Sequence, residues 1–191
     1  MCEKGMDMWQ RALGLTVGAF IALALTASAA GAQEAGWQTF SRPELGLTLQ
    51  RPADLYELDP ESPAEDVVGE VEFGPKDHSW SILVTSQKLK PGQTLASVVA
   101  DEKKRNPKAE AAEVKIGDGI EAYRIWALDD DSLSTFVVLL DKTGTKLVAI
   151  ELAVTLAEED ANKSMDALRG TYGGVIALFE RILATVRFAK N

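Results

Sequence analysis

The feature that most constrains this chain is a succession of apolar, alternating runs joined by turns too short to cross a sheet. Glu113 to Ile116 leads through Gly117-Asp118-Gly119 into Ile120 to Leu128. Asp129-Asp130-Asp131-Ser132 then leads into Thr135 to Leu140, and Lys142-Thr143-Gly144 leads into Leu147 to Thr155. A parallel return needs about a dozen residues or more, so connections this short force antiparallel neighbours. Alternation elsewhere adds strands. Leu45, Leu47 and Leu49 share one face of Leu45 to Arg51, and Val67, Val71 and Phe73 share one face of Val67 to Phe73. After the turn Gly74-Pro75-Lys76-Asp77, Trp80, Ile82 and Val84 share the inner face of the next strand. Trp37 to Phe40 and Val186 to Phe188 read as short strands.

Helical periodicity occurs in two regions. Thr94 to Lys104 places Leu95, Val98 and Val99 together and ends in Lys103-Lys104-Arg105, which suits the negative end of a helix dipole. Thr155-Leu156-Ala157-Glu158 has the pattern of a capping box and predicts a helical region beginning there, with Glu158-Glu159-Asp160 at its positive end. Gly170 and Gly173-Gly174 interrupt that region. Val175 to Thr185 continues it, with Ile176, Phe179, Ile182 and Leu183 on one face. The expected fold class is α+β: a mostly antiparallel sheet of about six to seven strands flanked by two or three helices.

The first residues suggest export. Lys4 and Arg11 precede a run without charge from Ala12 to Ala32, and the run ends in small residues, Ala27-Ser28-Ala29-Ala30-Gly31-Ala32. A basic start, an apolar stretch and an A-x-A site are the parts of a secretory signal. Cleavage is expected between Ala32 and Gln33, with Ala27-Ser28-Ala29 as a second choice and Met6 or Met8 as alternative starts. An uncleaved anchor is the competing reading, since the run is just long enough to span a bilayer. On the preferred reading residues 1–32 are a cleaved signal peptide and residues 33–191 form one domain, periplasmic or secreted, with no further membrane span.

Composition limits what that domain does. Its charge stays at −9 after cleavage, because the removed segment holds two basic and two acidic residues. Such a charge argues against nucleic acid or anionic lipid as a partner. The one cysteine, Cys2, lies before the apolar run, so neither a disulfide nor a thiolate metal site is available to the domain. The one histidine, His78, lies beside Asp77 in a turn and reads as solvent-exposed. No serine stands in G-x-S-x-G. No catalytic set and no cofactor-binding motif is legible, and none is assigned. The weak metal candidates are Asp129, Asp130 and Asp131, hard oxygen donors suited to Ca²⁺. Adjacent carboxylates point apart, however, and a solvated hairpin tip is the simpler reading. The acidic loop from Asp54 to Asp66 reads as solvated, and Trp37, Trp80 and Trp126 as core.

Asp141-Lys142-Thr143-Gly144-Thr145 resembles the phosphorylated motif of P-type ion pumps, and Gly117-Asp118-Gly119 resembles the acidic magnesium motif of the same phosphotransferase superfamily. In that superfamily the nucleophile comes first and the sheet is parallel. Here the order is reversed and both motifs sit in short turns, so Asp141 is expected to be a turn residue.

The whole domain resembles the PsbP-like superfamily. The matching stretches are F…PELGLTLQRP (Phe40 to Pro52), VEFGP…SWSILVTSQ (Val71 to Gln87), QTLASVV (Gln93 to Val99), GIEAYRIWAL, LVAIELAVT and FERILATVRF (Phe179 to Phe188). Pro52-Ala53-Asp54-Leu55-Tyr56 departs from exported bacterial members, which often carry tryptophan shortly after the proline. The resemblance implies an α/β/α sandwich and an accessory or binding role, not a known enzyme; the expected partner is an envelope protein. A divalent-cation-binding protein and a small exported hydrolase are the alternatives.

Overall fold

The computed structural model describes residues 36–58, 66–129 and 131–189. The expected signal peptide, residues 59–65 of the acidic loop, and Asp130 lie outside the described residues.

The chain opens with β1 (Trp37–Arg42), a 3₁₀ turn over Pro43–Leu45 and β2 (Leu47–Pro52). Gly46 closes that turn in the left-handed region at φ 71, donating its N–H to the Pro43 carbonyl at 3.1 Å. β3 (Tyr56–Leu58), β4 (Val67–Gly74) and β5 (Trp80–Lys88) follow, then helix α1 (Leu95–Arg105). The meander β6 (Glu110–Ile116), β7 (Ile120–Leu128), β8 (Ser132–Leu140) and β9 (Lys146–Thr155) comes next. Helices α2 (Met165–Thr171) and α3 (Gly173–Ala184) and the two-residue strand β10 (Arg187–Phe188) end the fold.

The strands form an antiparallel seven-stranded sheet in the order β3-β4-β5-β9-β8-β7-β6, and a three-stranded sheet, β1-β2-β10. The short turns dictate the β6-to-β9 meander, as expected. β10 joins β2 antiparallel, with Phe188 opposite Leu47 and Arg187 opposite Thr48.

The two faces of the large sheet bury different things. Val84, Ile150 and Val137 lie side by side across β5, β9 and β8, fully buried. This inner face forms the main core with Leu47 and Leu49 of the small sheet and with Leu168, Phe179, Ile182 and Leu183 of α2 and α3. Burial of each such side chain contributes roughly 1.5–3 kcal/mol. Arg169 ties α2 to the sheet, with its guanidinium 4.3 Å from the Trp126 ring centre and 2.7 Å from Glu110. The opposite, outer face is covered on one half by α1, whose Leu95, Val98 and Val99 pack with Ala109, Ile125, Val138 and Leu147. Helices on both faces make the sandwich expected from the resemblance.

Local chemistry explains the helix starts, and one expectation needs correcting. Thr94 and Ser97 form a reciprocal capping box: the Thr94 hydroxyl accepts from the Ser97 N–H at 3.1 Å, and the Ser97 hydroxyl accepts from the Thr94 N–H at 2.9 Å. The expected box at Thr155 to Glu158 does not form. The Thr155 N–H bonds the Ser79 carbonyl and the Leu156 N–H bonds the Asp131 carbonyl, so residues just ahead of β5 and β8 claim that segment. Glu158–Asp160 is only a 3₁₀ turn, and the next α-helix starts at Met165, where Ser164 accepts from the Ala167 N–H at 3.4 Å. Glu158, Glu159 and Asp160 therefore do not serve an α-helix dipole. Gly170 lies inside α2, and the break between helices falls at Tyr172.

Candidate functional site

Three concavities border some of the residues singled out by sequence. The first, about 740 Å³, lies where the β8–β9 turn meets the small sheet, and is lined by Gly46, Thr48, Asp141, Lys142, Arg187 and Phe188 among others. Asp141 is a turn residue between antiparallel strands, as expected. Its Oδ1 accepts from the Thr145 and Lys146 N–H groups at 2.8 and 2.9 Å, and its Oδ2 accepts from the Thr143 hydroxyl at 2.7 Å. Partial burial works against its charge. The Thr143 hydroxyl and the backbone N–H groups of Lys146, Thr145 and Thr143 outweigh that effect and hold the carboxyl below its ordinary pKa. A carboxylate folded back on its own turn in this way has its lone pairs occupied and is not presented as a nucleophile.

The second concavity, about 680 Å³, lies beyond the C-terminus of α1 and is lined by Arg105, Asn106, Pro107, Lys108, Leu128, Asp129 and Asp131. It brings together Asp129 and Asp131, both exposed. Asp129 sits at the β7–β8 turn, its N–H bonded to the Ser132 carbonyl at 2.9 Å. Arg105 and Lys108 share the same space, and their charges oppose a dication. Among the described residues no group of three His, Cys, Asp or Glu side chains is placed to hold a metal ion. His78 is exposed in its turn at φ 54, its N–H bonded to the Pro75 carbonyl.

The third concavity is the one with unusual electrostatics. It is a cleft of about 430 Å³ between α1 and the outer face of the sheet. Val98 and Glu102 of α1 form one wall. Phe136, Val138, Leu147 and Ala149 of β8 and β9 form an apolar floor, and Glu151 stands on that floor. Strand register puts Glu72, Leu83, Glu151, Phe136 and Ile125 in one row across β4, β5, β9, β8 and β7. Burial pushes the Glu151 carboxyl pKa up, and the like charges of Glu102, Asp129 and Glu72 push it further. No hydrogen bond or cation among the described residues offsets these terms. Arg105, the cationic side chain lining the cleft, binds Glu102 at 2.6 Å.

Sequence reasoning missed Glu151. On an alternating strand, a charge between Ile150 and Leu152 normally points to water, and only coverage by α1 half-buries it. The available signal was its small neighbours on the same face, Ala149 and Ala153, which leave room above the sheet.

With sheet order, sandwich and cleft defined, the chain has the α+β fold of PsbP and Mog1. It is similar to the solution structure of cyanobacterial PsbP (CyanoP) from Synechocystis sp. PCC 6803, with a TM-score of 0.52 at 18% identity, covering 86% of this chain and 99% of that one. It is also similar to the Saccharomyces cerevisiae Ran-binding protein Mog1p, with a TM-score of 0.51 at 13% identity, covering 80% of this chain and 95% of that one. At these identities the likeness is one of fold. No protein-family model and no curated protein sequence matches the chain.

Proposed function

We propose that this is an exported, non-enzymatic accessory or binding protein of the periplasm, acting through the cleft between α1 and the large sheet. The observation that carries the reading is the cleft itself: an apolar floor carrying the half-buried Glu151 carboxyl, beside a half-face of sheet that α1 does not cover. Binding sites combine apolar walls with a few placed polar groups in this way. Export rests on the sequence of residues 1–32. A protein of this fold in yeast is a Ran-binding protein, so the fold serves protein recognition there. Among the described residues no helix is long and apolar enough to cross a membrane.

The test is in-cell cross-linking of the tagged full chain, followed by fractionation and quantitative mass spectrometry. A specific partner of matching stoichiometry in the periplasmic or envelope fraction is expected. Retention in the cytoplasm, or turnover of ester or phosphate substrates that is lost when Glu151 is replaced by glutamine, would replace the reading with another.

A further inference from the structure

We propose that the α1 cleft receives a lysine or arginine side chain presented by a partner protein, with Glu151 as its counter-charge. This rests on the binding role above and names the chemistry of what is bound.

The cleft is built for a cation on an apolar stem. Phe136 and Ala149, both partly exposed, offer a floor for methylene groups, with Val138 and Leu147 buried at its edge under α1, and Glu151 stands at the end of that floor. A neutral or anionic occupant would leave Glu151 facing Glu102, Asp129 and Glu72 uncompensated. A cation satisfies it, and does so in a half-buried place where the attraction is stronger than in water. The protein's own cation does not fill this role, because the Arg105 guanidinium is held by Glu102.

The surroundings supply room for the chain that carries the side chain. α1 packs over β7, β8 and the near edge of β9. Leu83 and Thr85 of β5 and Glu72 of β4 continue the same outer face without a covering element among the described residues, and all three are partly exposed. A segment lying along this strip meets Glu72 on one side and Glu151 on the other. The net charge of −9 favours a basic partner at longer range as well.

The test uses a basic Lys/Leu peptide, its Glu/Leu counterpart and n-hexylamine as probes, with amide chemical shifts of the full domain as the readout. The Lys/Leu peptide is expected to shift the amides of Val98, Phe136, Ala149 and Glu151, with binding weakened in about 0.5 M salt. E151Q, which keeps the shape, is expected to weaken binding about tenfold, while D131N outside the cleft leaves it unchanged. The Glu/Leu peptide is expected not to bind. Shifts confined to another surface, no localised shifts, or equal affinity for E151Q would overturn the proposal. So would hexylamine binding as tightly as the peptide, which would mark a small-molecule site. A cross-linked partner that survives E151Q unchanged would leave the binding role standing and remove this inference alone.

Discussion

The Tyr172 hydroxyl donates a 2.7 Å hydrogen bond to the carboxylate of Asp160, and so joins the break between α2 and α3 to the turn that follows β9. The same hydroxyl oxygen accepts from the Ala157 N–H at 3.3 Å, and Asp160 also binds Lys163. Lys163 first, and then Tyr172, hold the Asp160 carboxyl below its ordinary pKa. Y172F removes both contacts of the hydroxyl and keeps the ring. The melting temperature should fall by about 3 °C at neutral pH. A folded-state carboxyl pKa below the unfolded value stabilises above the unfolded pKa, and that benefit is lost as pH falls through the folded value. The gap between Y172F and the parent should therefore narrow in acid, as thermal melts across the acid range would show.

Asp141 makes a second acid-sensitive contribution. D141N keeps an oxygen for the Thr145 and Lys146 N–H groups but loses the charge and the acceptor for Thr143. Urea denaturation at neutral pH should show a cost of no more than about 1 kcal/mol, and D141A about 2 kcal/mol. The folded pKa is again depressed, so the cost is present above the unfolded pKa and closes as pH falls through the folded one.

Glu151 should behave in the opposite sense. Its folded pKa is raised, so the folded state penalises the charged form. The penalty is absent below the unfolded pKa, near about pH 4, and grows as pH rises through the folded value. E151Q should be more stable than the parent at alkaline pH and indistinguishable from it in acid. A parent that gains stability relative to E151Q as pH rises would contradict the assignment of an uncompensated carboxyl.

Gly117 and Gly119 belong to one turn and should differ sharply. Gly117 sits at φ 50, and a Cβ there would lie 1.9 Å from the Val186 carbonyl oxygen, which is backbone. G117A should cost about 3 kcal/mol or more, because both the turn and the docking of the C-terminal segment are strained. Gly119 sits at φ 86 with open space around it, so G119A should cost about 1 kcal/mol, for backbone strain alone. Equal losses in denaturant titrations would show that the approach of Val186 is not what makes Gly117 necessary.

Local rules read much of this architecture. Alternation marked the inner face correctly at Leu47, Leu49, Ile82 and Val84, and the Asp- and Gly-rich turns fixed the β6-to-β9 order. Edges were less legible: β6 begins at Glu110, whose backbone pairs with Trp126 ahead of the expected start, and β8 begins at Ser132, ahead of Leu133, which is buried in the main core. Rules of pattern failed where two local signals competed. Thr155 to Glu158 has the letters of a cap, yet Thr155 ends β9, and the N–H groups of Thr155 and Leu156 are bonded to the Ser79 and Asp131 carbonyls. The separate small sheet was not legible, since the pairing of β10 with β2 depends on residues far apart in the chain. Glu151 was hidden for the same reason: its environment is made by α1, not by its neighbours in sequence.

That distant pairing has a consequence for the order of events during folding. Phe188 pairs opposite Leu47, and the Thr185 hydroxyl accepts from the Gln50 N–H, so the edge of β2 away from β1 stays unpaired until a segment far along the chain docks. A chain of this topology leaves the small sheet incomplete until that contact forms, and closes it late and slowly, as long-range pairings do. Translation that stops before Arg187 would leave a bare strand edge able to pair with another chain. Such products should be cleared or aggregate rather than persist as shortened, working forms.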